Sequence, residues 1–486
     1  MSSPFCDFEP KTIWTHFEQL LSIPRPSKHE ERVIAHIKKW AQANGWETRQ
    51  DQVGNLVVRI PATAGHENAK PTILQGHVDM VAEKDKTTTF DFLKDPIQVV
   101  IKGDWVVAER TTLGADNGIG VAAMMASADA PDAVHGPLDL LFTIDEETAL
   151  TGASNLDGKL LSGRALINLD SEEDDTMFVG CAGGCTTEIA FPAAQLTAVP
   201  AGYSALRLEV TGLKGGHSGL CINENRGNSL KTLARVLTRW LEKQPLLIHS
   251  VEGGNKHNAI PREAAALVLV PSAFAAEAKT IAGAVKDDVL EEIKSIDPEL
   301  AINVDHADAP ARAASAETSL RLVRLLAALP HGVITMSRDI QGMPETSTNL
   351  AVIRTDGERI LITSSSRSSV APALRAVLDQ IAAAVMLAGG TYTEVNAYPG
   401  WKPEMASPLL KICRETYREL RGQEPKVTAI HAGLECGIIG EKIGGKVDMI
   451  SYGPTMEGVH APGERLNIPS VARFWELHKA VLRRLA

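Results

Sequence analysis

Thr72-Ile73-Leu74-Gln75-Gly76-His77-Val78-Asp79 is the stretch on which the fold turns. A short apolar run of strand length, Thr72–Leu74, leads directly into a histidine and an aspartate two residues apart. The pattern recurs along the chain. Leu138–Ile144 is strand-like and runs into Asp145, Glu146 and Glu147, and Ala165–Leu169 is strand-like and runs into Asp170. Val447–Ser451 precedes a Gly/Pro-rich segment that carries His460. Helix- or loop-like segments, Gly118–Ser127 and the Thr148–Lys159 region, lie between them. Strands separated by helices predict an α/β fold with a helix-covered, mostly parallel mixed sheet. In open α/β sheets ligands gather at the carboxyl ends of strands, so segments far apart in sequence can converge there. Asp116, in Gly114-Ala115-Asp116-Asn117-Gly118, would join them from a glycine-rich turn that opens a helix.

Working outward, Trp14–Leu21 reads as a short amphipathic helix, and Ser27 with Glu30 reads as a capping box opening a helix to about Ala43. The texture changes near residue 187, at the Pro/Ala-rich stretch Phe191–Pro200. Beyond it the chain reads as an inserted α+β domain. This domain holds a strand Leu206–Val210, a helix Ser229–Lys243 with Leu230, Leu233, Val236, Leu237, Trp240 and Leu241 on one face, a strand Ala266–Val270 and a helix near Ala276–Ile293. A similar set runs from Thr318 to Asn396, which suggests two βαβ-type halves. The first pattern resumes near residue 400. The expected layout is a catalytic domain in two parts, 1–187 and 400–486, split by a lid or dimerisation domain, 188–399.

Composition excludes several classes. The 486 residues exceed what one core ordinarily organises. Sixty acidic against 49 basic residues give a formal charge of −11, with no basic stripe to neutralise phosphates, so no nucleic-acid partner is expected. No apolar run approaches the roughly 20 residues that span a bilayer. The N-terminus carries Asp7 and Glu9 without a continuous apolar stretch, unlike a secretory signal. The six cysteines show no paired framework and read as reduced thiols of a cytoplasmic protein.

A pair of divalent ions explains the collected residues. Zinc takes imidazole and carboxylate ligands, and two ions about 4 Å apart need a bridging carboxylate. Three carboxylates (Asp116, Glu147 and Asp170) plus a hydroxide would nearly balance two zinc ions. A metal lowers the pKa of bound water to about 7 and so supplies a nucleophile. A further carboxylate must take that proton and pass it to the leaving amine.

Gly76-His77-Val78-Asp79, Gly114-Ala115-Asp116-Asn117-Gly118, Asp145-Glu146-Glu147-Thr148, Asn168-Leu169-Asp170 and the late His460 resemble, in order and spacing, the co-catalytic di-zinc peptidases. That family includes carnosinases, bacterial tripeptidases and N-acyl-amino-acid deacylases. Gln75–Val81, His257–Glu263 and His431–Gly437 resemble its aminoacyl-histidine dipeptidase branch. The resemblance implies a dipeptidase acting on carnosine-like substrates, with two zinc ions per subunit that manganese or cobalt can replace, and a homodimer. It implies that His77 and Asp170 hold one ion, that Glu147 and His460 hold the other, and that Asp116 bridges them. Glu146 would be the general base and then the acid, and Asp79 would orient His77. A cis peptide would follow Asp116. In Gly215-Gly216-His217-Ser218-Gly219, His217 would polarise the scissile carbonyl. Asn258 and Arg367 would meet the substrate's backbone and terminal carboxylate.

Each residue also has a plainer reading. Asp116 alone reads as a helix N-cap. Glu172–Asp175 reads as a solvated loop. His460 competes with His431, a second candidate for substrate contact, and with His478, which the terminal helix would place on the surface. Gly440–Lys446 fits G-x-x-x-x-G-K, but Val447 stands where a P-loop needs Ser or Thr. Ser364-Ser365-Ser366 lacks the glycines of a nucleophile elbow and reads as a loop into Arg367.

Overall fold

In the computed structural model, which describes residues 4–192 and 196–486, Thr72–His77 is a strand buried at every position. Six strands of the first unit's main sheet precede the insertion: β1 (Glu47–Gln50), β2 (Leu56–Ile60), β3 (Thr72–His77), β4 (Leu138–Thr143), β5 (Ala165–Asn168) and β6 (Thr176–Cys181). With them come the helices α1 (Lys11–Leu21), α2 (Glu31–Ala43) and α3 (Ala115–Asp129). α1 buries Ile13, Trp14, Phe17 and Leu20. The capping box expected before α2 does not form. Ser27 Oγ is spent on Asp79 Oδ2 at 2.7 Å. Glu30 Oε1 accepts the backbone N–H of Lys28 at 2.7 Å and of Asp145 at 3.1 Å instead. Both residues serve the site rather than the helix end.

The insertion comes next. The strands along its main sheet path are β7 (Gly183–Pro192), β8 (Tyr203–Thr211), β9 (Leu247–Gly253), β10 (Ala264–Pro271), β11 (Ala301–Ala307), β12 (Pro344–Asp356), β13 (Arg359–Ser368) and β14 (Thr391–Tyr398). Its long helices are α4 (Ser229–Leu241), α5 (Ala275–Ile293), α6 (Ala316–Ala328) and α7 (Ala371–Leu387). Asn228 caps α4 by accepting from Leu230 N and Lys231 N at 2.9 and 3.0 Å. Residues 193–195, within the Pro/Ala-rich stretch, lie outside the described residues.

The strand order β11-β8-β10-β9-β12-β13-β7-β14 is two copies of one motif. β8-α4-β9-β10-α5-β11 makes a β-α-β-β-α-β unit with spatial order fourth, first, third, second. β7-α6-β12-β13-α7-β14 repeats it in mirror order along the sheet. The two copies join through β9 and β12, at Glu252↔Arg354 and Gly253↔Ile353. The first copy sits inside the second, because β7 precedes it in the chain. The sequence reading of βαβ-type halves beginning at 188 and Thr318 leaves out this displaced strand, which pairs with β13 from Arg359↔Pro192 to Ser368↔Gly183. Ser364–Ser366, read as a loop, lie inside β13, where Ser364 and Ser366 are fully buried.

After the insertion come α8 (Pro408–Arg421), β15 (Lys426–Ile430), α9 (Glu435–Ile443), β16 (Asp448–Ser451) and α10 (Ile468–Leu485). The P-loop look-alike is the last turn of α9, which ends at Ile443, and the three residues after it. By contacts, residues 4–180, 403–429 and 434–486 form one unit, and the described residues of 181–402 with 430–433 form another. The crossing falls at 180/181 because β7 belongs to the second unit's sheet, and at 402/403 rather than 399/400.

The first unit's sheet has the order β1-β2-β4-β3-β5-β16-β6-β15. β3 runs parallel to β4, with His77 opposite Thr143, and parallel to β5, with Gln75 opposite Asn168. β16 continues the parallel set, with Ser451 opposite Asn168. β1, β2 and β6 add antiparallel pairings. The expected mostly parallel mixed sheet is what forms. Its register brings the carboxyl ends of β3, β4, β5 and β16 side by side.

Candidate active site

That row of strand ends carries the acidic and histidine side chains. His77 is the last residue of β3. Glu146 and Glu147 begin a four-residue helical turn just past β4. Asp170 lies two residues beyond β5. Asp116 enters from the first turn of α3, and the Asp116–Asn117 peptide is cis. His460 comes from the loop between the short strands Met456–Glu457 and Arg465–Asn467.

These residues form three overlapping donor sets: one is His77, Glu146 and Glu147, and the other two share Asp116. His77, Asp116 and Asp170 offer atoms within 4.8 Å of one another, and so do Asp116, Glu147 and His460. Asp116 belongs to both. Its Oδ1 is 2.9 Å from His77 Nε2, and its Oδ2 is 3.0 Å from His460 Nε2. Asp170 Oδ1 lies 3.3 Å from His77 Nε2 and has no hydrogen-bond partner. Glu147 Oε2 lies 2.9 Å from His460 Nε2. A further acidic group, Glu30, Asp79 and Asp145, is committed to hydrogen bonds with Lys28, Ser27 and Thr148.

The electrostatics ask for more positive charge. Burial pushes the Asp170 carboxyl well above its ordinary value, against the pull of His77. Burial opposes charge on His77, but Asp170, Asp116 and Asp79 raise its pKa well above the ordinary value. Bonds to Asp116 and Glu147 push His460 up to about 11. Three buried or half-buried carboxylates and two imidazoles, with one carboxylate facing both ways, fit a pair of divalent ions.

Asp79 organises this layer from below. Burial opposes its charge, yet bonds to His77 and Ser27 hold it at about 2. Its Oδ1 lies 3.3 Å from His77 Nδ1. The same carboxylate accepts the N–H of Glu146 at 3.1 Å and of Glu147 at 3.3 Å. One residue therefore stands against both the His77 ring and the turn that carries both glutamates. Burial also raises the Glu146 carboxyl well above its ordinary value, with the Asp170, Glu435 and Glu147 charges adding to it and His77 opposing.

Three buried charged residues beside this site went unread in the sequence. Arg25, 1% exposed, donates to Val78 O and Asp79 O at 2.9 and 2.8 Å, and to Gly114 O. Burial lowers its pKa, and the charges of Asp79, Glu464, Asp116 and Glu147 offset this only in part. Glu464 accepts backbone N–H groups from the 113–116 loop. Glu435 accepts from Gln75 Nε2 at 2.6 Å and Thr143 Oγ1 at 2.7 Å, and burial pushes its carboxyl up to about 7. Glu464 lies four residues after His460, the only signal that could have found it. Arg25 leaves no periodic trace, and Glu435 stands inside the stretch His431–Gly437, where no role was assigned to it.

The second unit gathers its own set. His217 Nδ1 accepts the N–H of Gly219 at 3.3 Å and of Leu220 at 3.1 Å, which leaves the ring proton on Nε2. Burial, then the charge of Arg367, lowers the pKa of His217 to about 4, so it is neutral near pH 7. His217 and the exposed Asn258 line one cavity of about 710 Å³, with Lys214 and Arg262. Arg367 does not line that cavity but stands in β13, opposite Ser347 and Gly184. It is buried, donates to Tyr398 OH at 3.2 Å, and keeps Nε without a partner. His431 Nε2 is 2.7 Å from Ser347 Oγ, and burial with Arg367 lowers its pKa to about 4. His478, expected on the surface, is fully buried in the first unit, bonded to Ser127 Oγ and Tyr452 OH at 2.9 Å each.

Residues 73–484 match the model of peptidase family M20/M25/M40, and the chain belongs to that family. It is 40% identical over 485 residues to the cytosol non-specific dipeptidase of Escherichia coli (strain K12), covering 99% of each chain. It superposes on the crystal structure of aminoacylhistidine dipeptidase from Vibrio alginolyticus with a TM-score of 0.94 and 37% identity, over 99% of this chain and 98% of the other. The aminopeptidase PepT of Bacillus cereus shares the fold at a TM-score of 0.56 and 15% identity, over 98% and 99%. Membership in this metallopeptidase family implies divalent-metal binding, and the two donor sets that share Asp116 are where it would occur. Among the described residues no helix is long and apolar enough to cross a membrane.

Proposed function

We propose that the protein is a cytoplasmic dipeptidase that needs two divalent ions, zinc in the first instance with manganese or cobalt as substitutes, and that its substrates include aminoacyl-histidine dipeptides. The observation that carries this reading is Asp116, whose two oxygens face histidines from separate parts of the chain at 2.9 and 3.0 Å. His77 and Asp170 would hold one ion, Glu147 and His460 the other, and Asp116 both.

Ions bound there would polarise the scissile carbonyl and lower the pKa of a water to about 7. Glu146 accepts the proton of the attacking water and returns it to the amine of the departing amino acid. Asp79 keeps His77 and the Glu146–Glu147 turn in place. His217 donates from Nε2 to the carbonyl oxygen as negative charge develops there. Asn258 meets the substrate backbone. Arg367, a buried fork with an unpartnered Nε, takes the terminal carboxylate. A homodimer is proposed from the family resemblance, and light scattering would test it.

The breadth of substrate is where the two relatives' names differ. One is called non-specific and the other aminoacylhistidine. A panel of β-alanyl-histidine, several Xaa-His and Xaa-Xaa dipeptides, tripeptides and N-acetyl amino acids separates the readings. The dipeptidase reading predicts cleavage of free-amino dipeptides, with histidine favoured at the second position. Turnover confined to tripeptides or N-acetyl amino acids would replace it with one of those activities. Two bound ions without turnover of any of these would point to a binding protein.

A further inference from the structure

Arg25 and Glu464 are buried charges that touch no expected ligand side chain, yet both grip the loop that delivers Asp116. We propose that they form a clamp on the Gly114 peptide that sets where the Asp116 carboxylate stands between the two ion sites, and so act as positioning residues for the reaction. The inference rests on the two-ion reading above and adds to it the device that fixes the bridge.

The geometry is two-sided. Arg25 Nη2 donates to the Gly114 carbonyl, and Glu464 Oε2 accepts the Gly114 N–H at 3.1 Å. Glu464 also takes the N–H of Leu113 at 2.7 Å, of Ala115 at 2.9 Å and of Asp116 at 3.5 Å, so one carboxylate collects the loop's donors. Each jaw is fixed to a different ligand segment. Arg25 Nη1 holds Val78 O and Asp79 O, immediately after His77. Glu464 is four residues from His460, and its backbone is tied by Ala108 N to Glu464 O at 3.2 Å. The clamp thus connects the His77 side, the bridging loop and the His460 side through backbone groups alone.

The motif's glycines are explained by the clamp. Gly114 has φ +70°, and a Cβ there would stand 2.7 Å from Arg25 Nη2 and 2.8 Å from Met80 Sδ. A Cβ on Gly118 would stand 2.5 Å from the same Arg25 nitrogen. The guanidinium lies between the two glycines that flank Asp116, and neither position has room for a side chain. A buried ion costs stability unless it is paired and hydrogen-bonded. Arg25 and Glu464 meet that condition mainly through main-chain groups of the loops beside the ligands, the arrangement expected of a positioning pair.

The test is a cobalt(II) titration of metal-free full-length protein, wild type against Glu464→Gln and Arg25→Lys, read by visible absorption and chelator competition, alongside the melting temperature of each metal-free protein. Wild type should bind two ions. Each variant should weaken binding of the second ion by roughly 10- to 100-fold and change the cobalt spectrum, with kcat reduced and KM little changed. The metal-free melting temperatures should not account for that loss. A second-ion affinity and spectrum equal to wild type would overturn the clamp, as would weakened affinity that merely tracks lost stability. Should one variant not fold, the other decides. Failure of wild type itself to take two cobalt ions would instead remove the two-ion reading.

Discussion

Nε2 of His77 lies 2.9 Å from Oδ1 of Asp116, and the same aspartate turns Oδ2 toward His460 at 3.0 Å. A carboxylate shared in this way has a definite consequence for metal stoichiometry. Asp116→Ala removes an atom from both donor sets at once. After dialysis against zinc and removal of excess, elemental analysis should find fewer than two ions per chain, against two for wild type.

Glu146 belongs to neither of the two overlapping sets through Asp116, and its proposed work is proton transfer. Glu146→Gln keeps the shape and the N–H bond to Asp79. It should retain two ions and lose turnover by about 10²- to 10⁴-fold. Turnover near wild type with both ions bound would assign the base elsewhere.

Asp79 supports His77 and receives the N–H groups of Glu146 and Glu147. Asp79→Asn preserves size while removing charge and one acceptor. A fall of roughly 10- to 100-fold in kcat or metal affinity is expected, with rescue of metal content at high zinc but not of kcat.

Arg367 tests recognition rather than chemistry. A hydrogen bond to a charged group contributes about 1.5–3 kcal/mol, so Arg367→Gln should raise KM for dipeptides by roughly 10- to 100-fold. Arg367→Lys should recover only part of this, because the two-pronged fork is lost. Steady-state kinetics with a dipeptide and its C-terminal amide would check it: the amide should be a poor substrate for wild type and lose little further in the variant.

His478 gives a pH prediction away from the site. Burial lowers its pKa to about 3 from an ordinary 6.5. Between those values the unfolded chain binds a proton that the folded chain does not, so stability falls as pH drops through this window. His478→Gln should flatten the decline of melting temperature between about pH 6.5 and 4. An unchanged slope would mean that other histidines, such as the half-buried His331 at about 4, dominate the acid response.

Much of this was legible in the sequence because the central strands are buried on both faces and read as continuous apolar runs. β3 and β4 are buried at every position, and each ends at or just before a residue proposed for the site. The helix α4 starts where expected, at Ser229, and ends at Leu241, close to the expected Lys243. Strands such as β14, mostly exposed along its length, and β1, a polar edge, carry no such run and went unread. The double β-α-β-β-α-β arrangement was hidden by β7, whose partners in its own copy lie beyond residue 310.

The site divides along the same line. Residues that would bind an ion stand at strand ends or in glycine-rich turns, and their types announce the chemistry. Residues that hold those segments in place do so through main-chain carbonyl and N–H groups, which any sequence has. Arg25 and Glu464 are of that second kind. His478 was misplaced because a helix pattern alone does not reveal Ser127 and Tyr452 meeting its two ring nitrogens.

The most direct test of the central claim is hydrolysis of β-alanyl-histidine by the purified protein before chelation, after chelation, and after zinc is restored. The account predicts cleavage that disappears with the metal and returns with two zinc ions per chain. Cleavage that persists in the metal-free protein, or its absence in protein shown to carry two zinc ions, would contradict it.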